Sequence, residues 1–259
     1  MTRAAIVVRS PTELRRRYQE LAAGDLVLGP VAVKPGEEIK LIDLQERQVI
    51  FFPSLLAQMV VRLKTSQAQV MQDYMLPGTF VAHRLVDLSA RLGDARLSGP
   101  IVTKRDRAHL GMGVSLWPSL EALHSLASLQ SLPYPLVVQP FLAGARDFRV
   151  VMVGEYTEAY ERYNPQGFRK NLFQGGAFRP VDVTQELLSF CRRAMGRGKF
   201  PYAVLDVLIS PQREAYLSEI NFHAGLKGSQ IGQAEYRRRV KAILEDFCRQ
   251  WESSRTTPD

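Results

Sequence analysis

Cysteine is scarce in this chain, and the placement of the cysteines that occur excludes two classes of protein. Cys191 and Cys248 are the only two among 259 residues, and neither belongs to a CxxC or another metal-ligand spacing. A disulfide framework and a zinc site are therefore not expected. We expect both thiols to be free in a reducing compartment.

Long apolar runs are also missing. No stretch of about eighteen apolar residues occurs, so we expect no membrane-spanning helix and no membrane partner. The N-terminal segment MTRAAIVVRS becomes polar too soon for a signal peptide, which favours a cytoplasmic protein. The chain length and a hydrophobic fraction of 46% predict a globular protein of one large domain or a few small ones.

Acidic residues are outnumbered, since 34 Lys and Arg stand against 26 Asp and Glu, for a formal net charge of +8. A positive excess favours anionic partners such as nucleotides, acidic peptides, nucleic acid or a membrane surface. Aromatic residues are not interleaved with the basic clusters, and the common DNA- and RNA-binding motifs are absent. Nucleic acid is therefore not an expected partner.

Helix caps and short apolar runs alternate along the chain. Residues 1 to about 60 predict a small α/β unit, in which Ser10 caps a helix that ends before Gly24. A helical segment follows Pro53, with a break near Lys64. Beyond it, apolar runs form antiparallel strand pairs with helices between them, which favours an α+β fold over a doubly wound parallel sheet.

The stretch YLSEINFHAG, residues 216 to 225, places a carboxylate and a carboxamide two residues apart. Strand alternation predicts two faces: Leu217, Glu219 and Asn221 on one, and Ser218, Ile220 and Phe222 on the other. A short turn at PQR would bring Asp206, in the preceding strand, opposite Glu219 or Asn221. Oxygen ligands of this kind suit Mg²⁺. The alternative is a solvated edge face, although the apolar neighbours of Asp206 would make an unpaired carboxylate costly there.

Three further motifs each have an ordinary alternative when taken alone. Lys104 precedes a glycine turn, KRDRAHLGMGV, whose backbone could meet phosphates but which could also be a simple hairpin turn. The segment VVQPFL ends a strand with free backbone groups that could contact a base, or it could connect two domains. Arginines in DFRVVMVG and FRKNLFQGG could bind a carboxylate or a phosphoryl group, or could lie on the surface.

In their order along the chain, these motifs resemble the ATP-grasp superfamily, and within it the RimK-like ligases, which add amino acids such as glutamate to a carboxyl terminus. The resemblance extends from about Lys64 to Gly228 and is carried by the series DFRVVMVG, FRKNLFQGG, LDVL and EIN. It implies an ATP-grasp fold with three parts: a short N-terminal α/β domain (1–60), a subdomain with the lysine and the glycine turn (61–137), and a C-terminal subdomain with the metal and substrate site (138–259).

The resemblance also implies roles for individual residues. The phosphates of ATP would be bound by Lys64, Lys104 and the turn of Gly111 and Gly113. The adenine hinge would comprise Gln139, Pro140, Phe141 and Leu142, and Asp147 would contact the nucleotide or orient Arg149. The catalytic group would comprise Arg149, Arg169 and Asn171. The metal ligands would be Asp206, Glu219 and Asn221, holding two Mg²⁺ ions, with Mn²⁺ as an alternative.

The implied activity is ATP-dependent ligation of a carboxylate to an amine through an acyl phosphate, with release of ADP and phosphate. The acceptor would be an amino-acid metabolite, an acidic peptide or a carrier protein, and homo-oligomers are common among such ligases. Two departures leave open a nucleotide-binding module without ligase activity. Pro140 replaces an acidic residue of the family, and NFHAGLKG replaces its usual ending of a small residue, proline and glycine after the asparagine.

Overall fold

Short parallel strands and two helices form the N-terminal unit. The structure is a computed structural model that describes residues 3–107, 113–164 and 177–256. The elements of this unit are β1 (Val7–Val8), α1 (Pro11–Arg17), β2 (Leu26–Leu28), α2 (Glu38–Glu46) and β3 (Ile50–Phe52), and the sheet order is β1-β2-β3.

Helix α1 begins as predicted, because the Ser10 hydroxyl accepts a hydrogen bond of 3.1 Å from the Glu13 amide. It ends at Arg17 and not near Gly24, so the predicted helix was too long. Helix α2 was not predicted. It is required because β2 and β3 run parallel, and parallel neighbours need a crossover connection.

A four-stranded antiparallel sheet follows two short helices. The elements are α3 (Leu55–Val60), α4 (Lys64–Val70), β4 (Phe80–Ala82), α5 (Leu85–Ser89), β5 (Ile101–Arg105), β6 (Val114–Trp117), α6 (Leu120–Leu129) and β7 (Leu136–Pro140). The sheet order is β4-β7-β5-β6. The predicted break in the helical segment is confirmed, since α3 ends at Val60 and α4 begins at Lys64.

A five-stranded antiparallel sheet in the order β10-β9-β8-β11-β12 carries most of the buried core. Its region comprises β8 (Arg146–Val153), β9 (Tyr156–Tyr163), β10 (Ala177–Val181), α7 (Gln185–Gly198), β11 (Tyr202–Ile209), β12 (Ala215–Asn221) and α8 (Gly232–Thr256). The predicted pairing of the two strands joined at PQR is confirmed in β11–β12, and β8–β9 is a second antiparallel hairpin. Together with the four-stranded sheet, they confirm the α+β class.

Apolar contacts join the three sheets. Helices α3 and α4 share one buried cluster with the five-stranded sheet, and α8 returns to the N-terminal strands through Trp251. The boundary predicted between residues 137 and 138 falls inside β7, and the three-part division stays a prediction. Both cysteines are buried free thiols. No helix within the described ranges is long and apolar enough to cross a membrane.

The outer edge of β12 is closed by one side chain from α4. The Gln67 amide donates to the Ile220 carbonyl oxygen at 3.0 Å, and its oxygen accepts from the Ile220 amide at 2.9 Å. Gln67 is buried, so this pair of bonds replaces the strand neighbour that an edge strand lacks. Helix α4 is thereby fixed against β12, one residue from Glu219.

We expect Gln67→Ala to lower the free energy of unfolding by about 2 to 3 kcal/mol, because two buried backbone groups of Ile220 lose their partner. Urea denaturation followed by circular dichroism measures the change. Gln69→Ala is the matched control, since Gln69 lies on the same helix but is exposed. Equal effects of the two substitutions would contradict this account of the edge.

Candidate active site

The site is built on β11 and β12, whose pairing brings the predicted oxygen-bearing side chains together. Asp206 lies directly opposite Glu219, and Val204 lies opposite Asn221. Because cross-strand partners share a face and alternate residues return to it, Asp206, Glu219 and Asn221 lie on one face. The predicted shared face is confirmed.

A β-bulge in β12 changes which side chains of that strand lie on each face of the sheet. Val207 pairs with Leu217 while Asp206 pairs with Glu219, so Ser218 is the extra residue. Leu217 therefore joins Ile220 and Phe222 in the buried core. The prediction that Leu217 shares the face of Glu219 was wrong, because strict alternation holds only for a strand without a bulge.

Lys104 reaches this bulge from the four-stranded sheet. Its ammonium group donates to the Ser218 carbonyl oxygen at 3.1 Å and to the Ser218 hydroxyl at 3.0 Å. Burial lowers the pKa of Lys104, while attraction to Glu219 works in the opposite direction. The bulge thus places the predicted phosphate-binding lysine beside the predicted metal face.

Asp206 is clamped by two arginines. Its carboxylate accepts from Arg149 Nε at 2.7 Å and from Arg149 Nη2 at 2.9 Å, and Arg162 Nη2 lies 3.0 Å from its Oδ2. Burial by itself would raise the pKa of Asp206, but the two guanidinium groups hold that pKa below its ordinary value. The carboxylate is therefore neither solvated nor unpaired.

Arg162 is a site residue that the sequence analysis missed. Besides contacting Asp206, its Nη2 donates to Asp147 Oδ1 at 2.7 Å, so one guanidinium joins two carboxylates. Arg162 lies opposite Asp147, and Tyr160 lies opposite Arg149, across β8 and β9. Alternation in YERY does place Tyr160 and Arg162 on one face. The local sequence does not show which strand pairs with this one or in what register.

Arg149 also contacts the segment that follows Asn221. Its Nη1 donates to the Gly225 carbonyl oxygen at 2.7 Å, while the rest of its guanidinium holds Asp206. Burial alone would lower the pKa of Arg149, but attraction to Asp206 outweighs it and the pKa is raised. Arg149 is thus a permanent cation that links β8, β11 and this segment.

The predicted nucleotide residues take up several positions around this centre. Lys64 opens α4 and is close enough to Lys104 to repel it electrostatically. Asp106 fixes the same helix end, since its carboxylate accepts from the Thr65 amide at 3.1 Å and the Thr65 hydroxyl at 2.6 Å. The carbonyl oxygen of Gly113 accepts from the Arg105 amide at 2.8 Å.

The predicted hinge spans the end of β7 and the two residues that follow it. Gln139 is buried and lies opposite Val102, and β7 ends at Pro140. The Phe141 amide donates to the Pro100 carbonyl oxygen at 2.8 Å, and Leu142 lies in the connection to β8. Gly111, Arg169 and Asn171 lie outside the described residues.

The donor set suits a hard divalent cation. Asp206, Glu219 and Asn221 would supply only oxygen ligands, which is the set that Mg²⁺ prefers. Asp206 Oδ2 already contacts both arginines, whereas Oδ1 accepts only from Arg149 Nε and so keeps one of the roughly four lone-pair sites of the carboxylate for a cation. No group of three His, Cys, Asp or Glu side chains in the described part of the chain is placed to hold a metal. In the predicted ligand set, the third ligand is the amide of Asn221.

Comparisons with known proteins agree on one family. The model described as a RimK-like ATP-grasp domain matches residues 60–236. A probable alpha-L-glutamate ligase of Enterobacter sp. (strain 638) is 31% identical over 175 residues, covering 64% of this chain and 57% of that protein. A ribosomal protein bS6–L-glutamate ligase of Escherichia coli O1:K1 / APEC is 30% identical over 172 residues, with the same coverage. This chain spans less than two thirds of the length of these relatives.

Solved structures share the fold at low sequence identity. An ADP complex of N5-carboxyaminoimidazole ribonucleotide synthetase aligns with a TM-score of 0.63 and 10% identity over 93% of this chain and 71% of that one. The D-alanine–D-alanine ligase from Coxiella burnetii aligns with a TM-score of 0.57 and 14% identity over 89% and 72%. The ligase PsnB, complexed with minimal precursor, Mg and ADP, gives 0.54 and 14% over 80% and 67%. At these identities the likeness shows the fold alone.

Proposed function

Because the chain belongs to the RimK-like ATP-grasp family, we propose that it is an ATP-dependent ligase that joins a carboxylate to an amine and releases ADP and phosphate. The observation that carries the proposal is the contact of Lys104 with the bulge next to Glu219. This contact supports the proposal because it brings the ammonium group of Lys104 next to the strand pair that carries Asp206 and Glu219. The two glutamate ligases among the relatives support an amino-acid substrate.

In the proposed reaction, a substrate carboxylate oxygen attacks the γ-phosphorus of ATP, and the bond to the β-phosphate oxygen breaks, giving an acyl phosphate and ADP. An amine nitrogen then attacks the acyl carbon, the carbon–oxygen bond to phosphate breaks, and the amine loses a proton. No covalent intermediate on the protein is needed. Bound Mg²⁺ would neutralise charge on the triphosphate.

The described residues have distinct proposed tasks. Lys64 and Lys104 bind phosphate oxygens, and Asp206, Glu219 and Asn221 hold the cation. Arg149 stabilises the negative charge that develops on the acyl group, because a buried guanidinium stays protonated and is already positioned before the reaction.

The test is an ADP-release screen across pairs of carboxylates and amines, with hydroxylamine as a second amine that converts an acyl phosphate to a hydroxamate. We expect release that needs Mg²⁺ and a carboxylate and that stops with EDTA. Lys104→Met should reduce turnover by about 100-fold or more, the scale of losing one charge-stabilising donor.

Isothermal titration with ATP and Mg²⁺ measures nucleotide binding separately from ADP release. Nucleotide binding without ADP release from any pair in the screen would contradict ligase activity. It would favour instead the nucleotide-binding module that the departures at Pro140 and after Asn221 leave open.

A further inference from the structure

A row of directly opposite residues crosses the five-stranded sheet through the proposed reaction centre. Glu219 lies opposite Asp206, which in turn lies opposite Arg149. Tyr160 of β9 lies opposite Arg149 and completes the row. Because directly opposite residues share a face of the sheet, the Tyr160 side chain is on the same face as the predicted metal ligands. The proposed function gives a role to the other three residues of the row but none to Tyr160.

The Tyr160 hydroxyl is buried without a partner. Tyr160 is 1% exposed, and its hydroxyl oxygen has no hydrogen-bond partner at bonding geometry among the described residues. A buried hydroxyl that lacks its hydrogen bond costs free energy, whereas a phenylalanine would fill the same space without that cost. A buried polar group of this kind, within a reaction centre, is expected to form its bond with a ligand.

The neighbour of this hydroxyl in the row can donate hydrogen bonds but cannot accept one. Arg149 is close enough to lower the pKa of the Tyr160 hydroxyl, although burial raises that pKa by more, so the hydroxyl stays protonated at neutral pH. A guanidinium has no acceptor and cannot take up the hydroxyl proton. The bonds of Arg149 to Asp206 and Gly225 do not use all of its N–H groups. Both side chains can therefore donate to one ligand oxygen.

We propose that Tyr160 is a catalytic residue whose hydroxyl donates, beside Arg149, to the carbonyl oxygen of the acyl phosphate. This oxygen gains negative charge when the amine attacks the acyl carbon, and a donor positioned before the reaction stabilises that charge. Asp206 and Glu219 lie on one side of Arg149 in the row, so a triphosphate bound there leaves the side of Tyr160 for the acyl group. The inference rests on the proposed ligase function, because that function supplies the acyl phosphate.

Isothermal titration with a stable analogue of acetyl phosphate tests this contact without catalysis. The probe is acetonylphosphonate, which carries a carbonyl group beside a phosphonate. The comparison compound is propylphosphonate, which has the same chain but lacks the carbonyl oxygen. Both are titrated at neutral pH into the full chain in the presence of Mg²⁺ and ADP. We expect the wild-type protein to bind acetonylphosphonate about tenfold more tightly than propylphosphonate, the scale of one buried hydrogen bond.

Tyr160→Phe should remove this preference, because the substitution deletes only the hydroxyl. Its urea midpoint should not fall, since the hydroxyl has no hydrogen bond to lose among the described residues. Tyr202→Phe is the matched control. Tyr202 is also fully buried, and its hydroxyl likewise lacks a partner in the described part of the chain, but it lies opposite Val153 and packs against the Phe222 ring. We expect the control variant to keep the preference.

For any carboxylate that gives ADP release, Tyr160→Phe should lower hydroxamate formation about 100-fold, the scale of losing one oxyanion donor, and Tyr202→Phe should not. Equal wild-type affinity for the two phosphonates, or no wild-type binding of acetonylphosphonate at millimolar concentration, would overturn the proposal. A preference that Tyr160→Phe keeps, or that Tyr202→Phe also loses, would overturn it as well. A preference that depends on Tyr160 without ADP release would contradict the ligase function alone, whereas ADP release with a preference independent of Tyr160 would contradict the role of Tyr160 alone.

Discussion

Replacing Asp206 with alanine is expected to lower the free energy of unfolding by about 3 to 5 kcal/mol and to abolish ADP release. The substitution removes the common partner of Arg149 and Arg162, whose side chains are 16% and 8% exposed. Breaking a buried ion pair from one side leaves uncompensated charge, which costs more than the pair contributes. Urea denaturation at pH 7 measures the first effect, and a coupled ADP assay measures the second.

Asp182→Ala is the control for the loss of a carboxylate as such, because Asp182 is exposed. We expect that variant to stay within about 0.5 kcal/mol of the wild-type protein. If Asp206→Ala is destabilised no more than Asp182→Ala, the two arginines find water or other partners. Their contacts with Asp206 would then not stabilise the fold.

Glu219→Gln is expected to reduce Mg²⁺-dependent turnover by about 100-fold or more while leaving the stability nearly unchanged. Glutamine keeps the shape of the side chain but removes the negative charge, and the carboxylate is the stronger ligand for a hard cation. Glu219 is only partly buried, unlike Asp206, and Lys104, which it attracts, keeps both of its hydrogen bonds to Ser218 when Glu219 is neutralised. Turnover as a function of Mg²⁺ concentration, together with a urea denaturation curve, measures both properties.

Glu214→Gln provides the matched control in the same hairpin. Glu214 is exposed before β12 and accepts a hydrogen bond of 2.8 Å from the Tyr216 hydroxyl. It should leave turnover unchanged. Wild-type turnover in Glu219→Gln would mean that Glu219 is not a metal ligand, even if Asp206→Ala is inactive, because Asp206→Ala also loses the clamp.

Local sequence patterns predicted much of the architecture. The Ser10 cap, the break near Lys64 and the short turn between β11 and β12 each depend on residues only a few positions apart. Helix α2 and strand β10 were missed, since the first follows from the parallel pairing of β2 with β3 and the second from pairing with β9. Neither pairing can be predicted from the local sequence pattern.

The sequence by itself determined that Glu219 and Asn221 share a face, because alternation is a property of a single strand, and it indicated Asp206 as their neighbour through a short turn. Only the tertiary structure decided the partners of these residues. Lys104 meets Ser218 across 114 residues, and Arg149 meets Asp206 across 57. Such contacts depend on strand register, on one bulge and on the packing of two sheets, and these are settled when the whole chain buries its apolar surface.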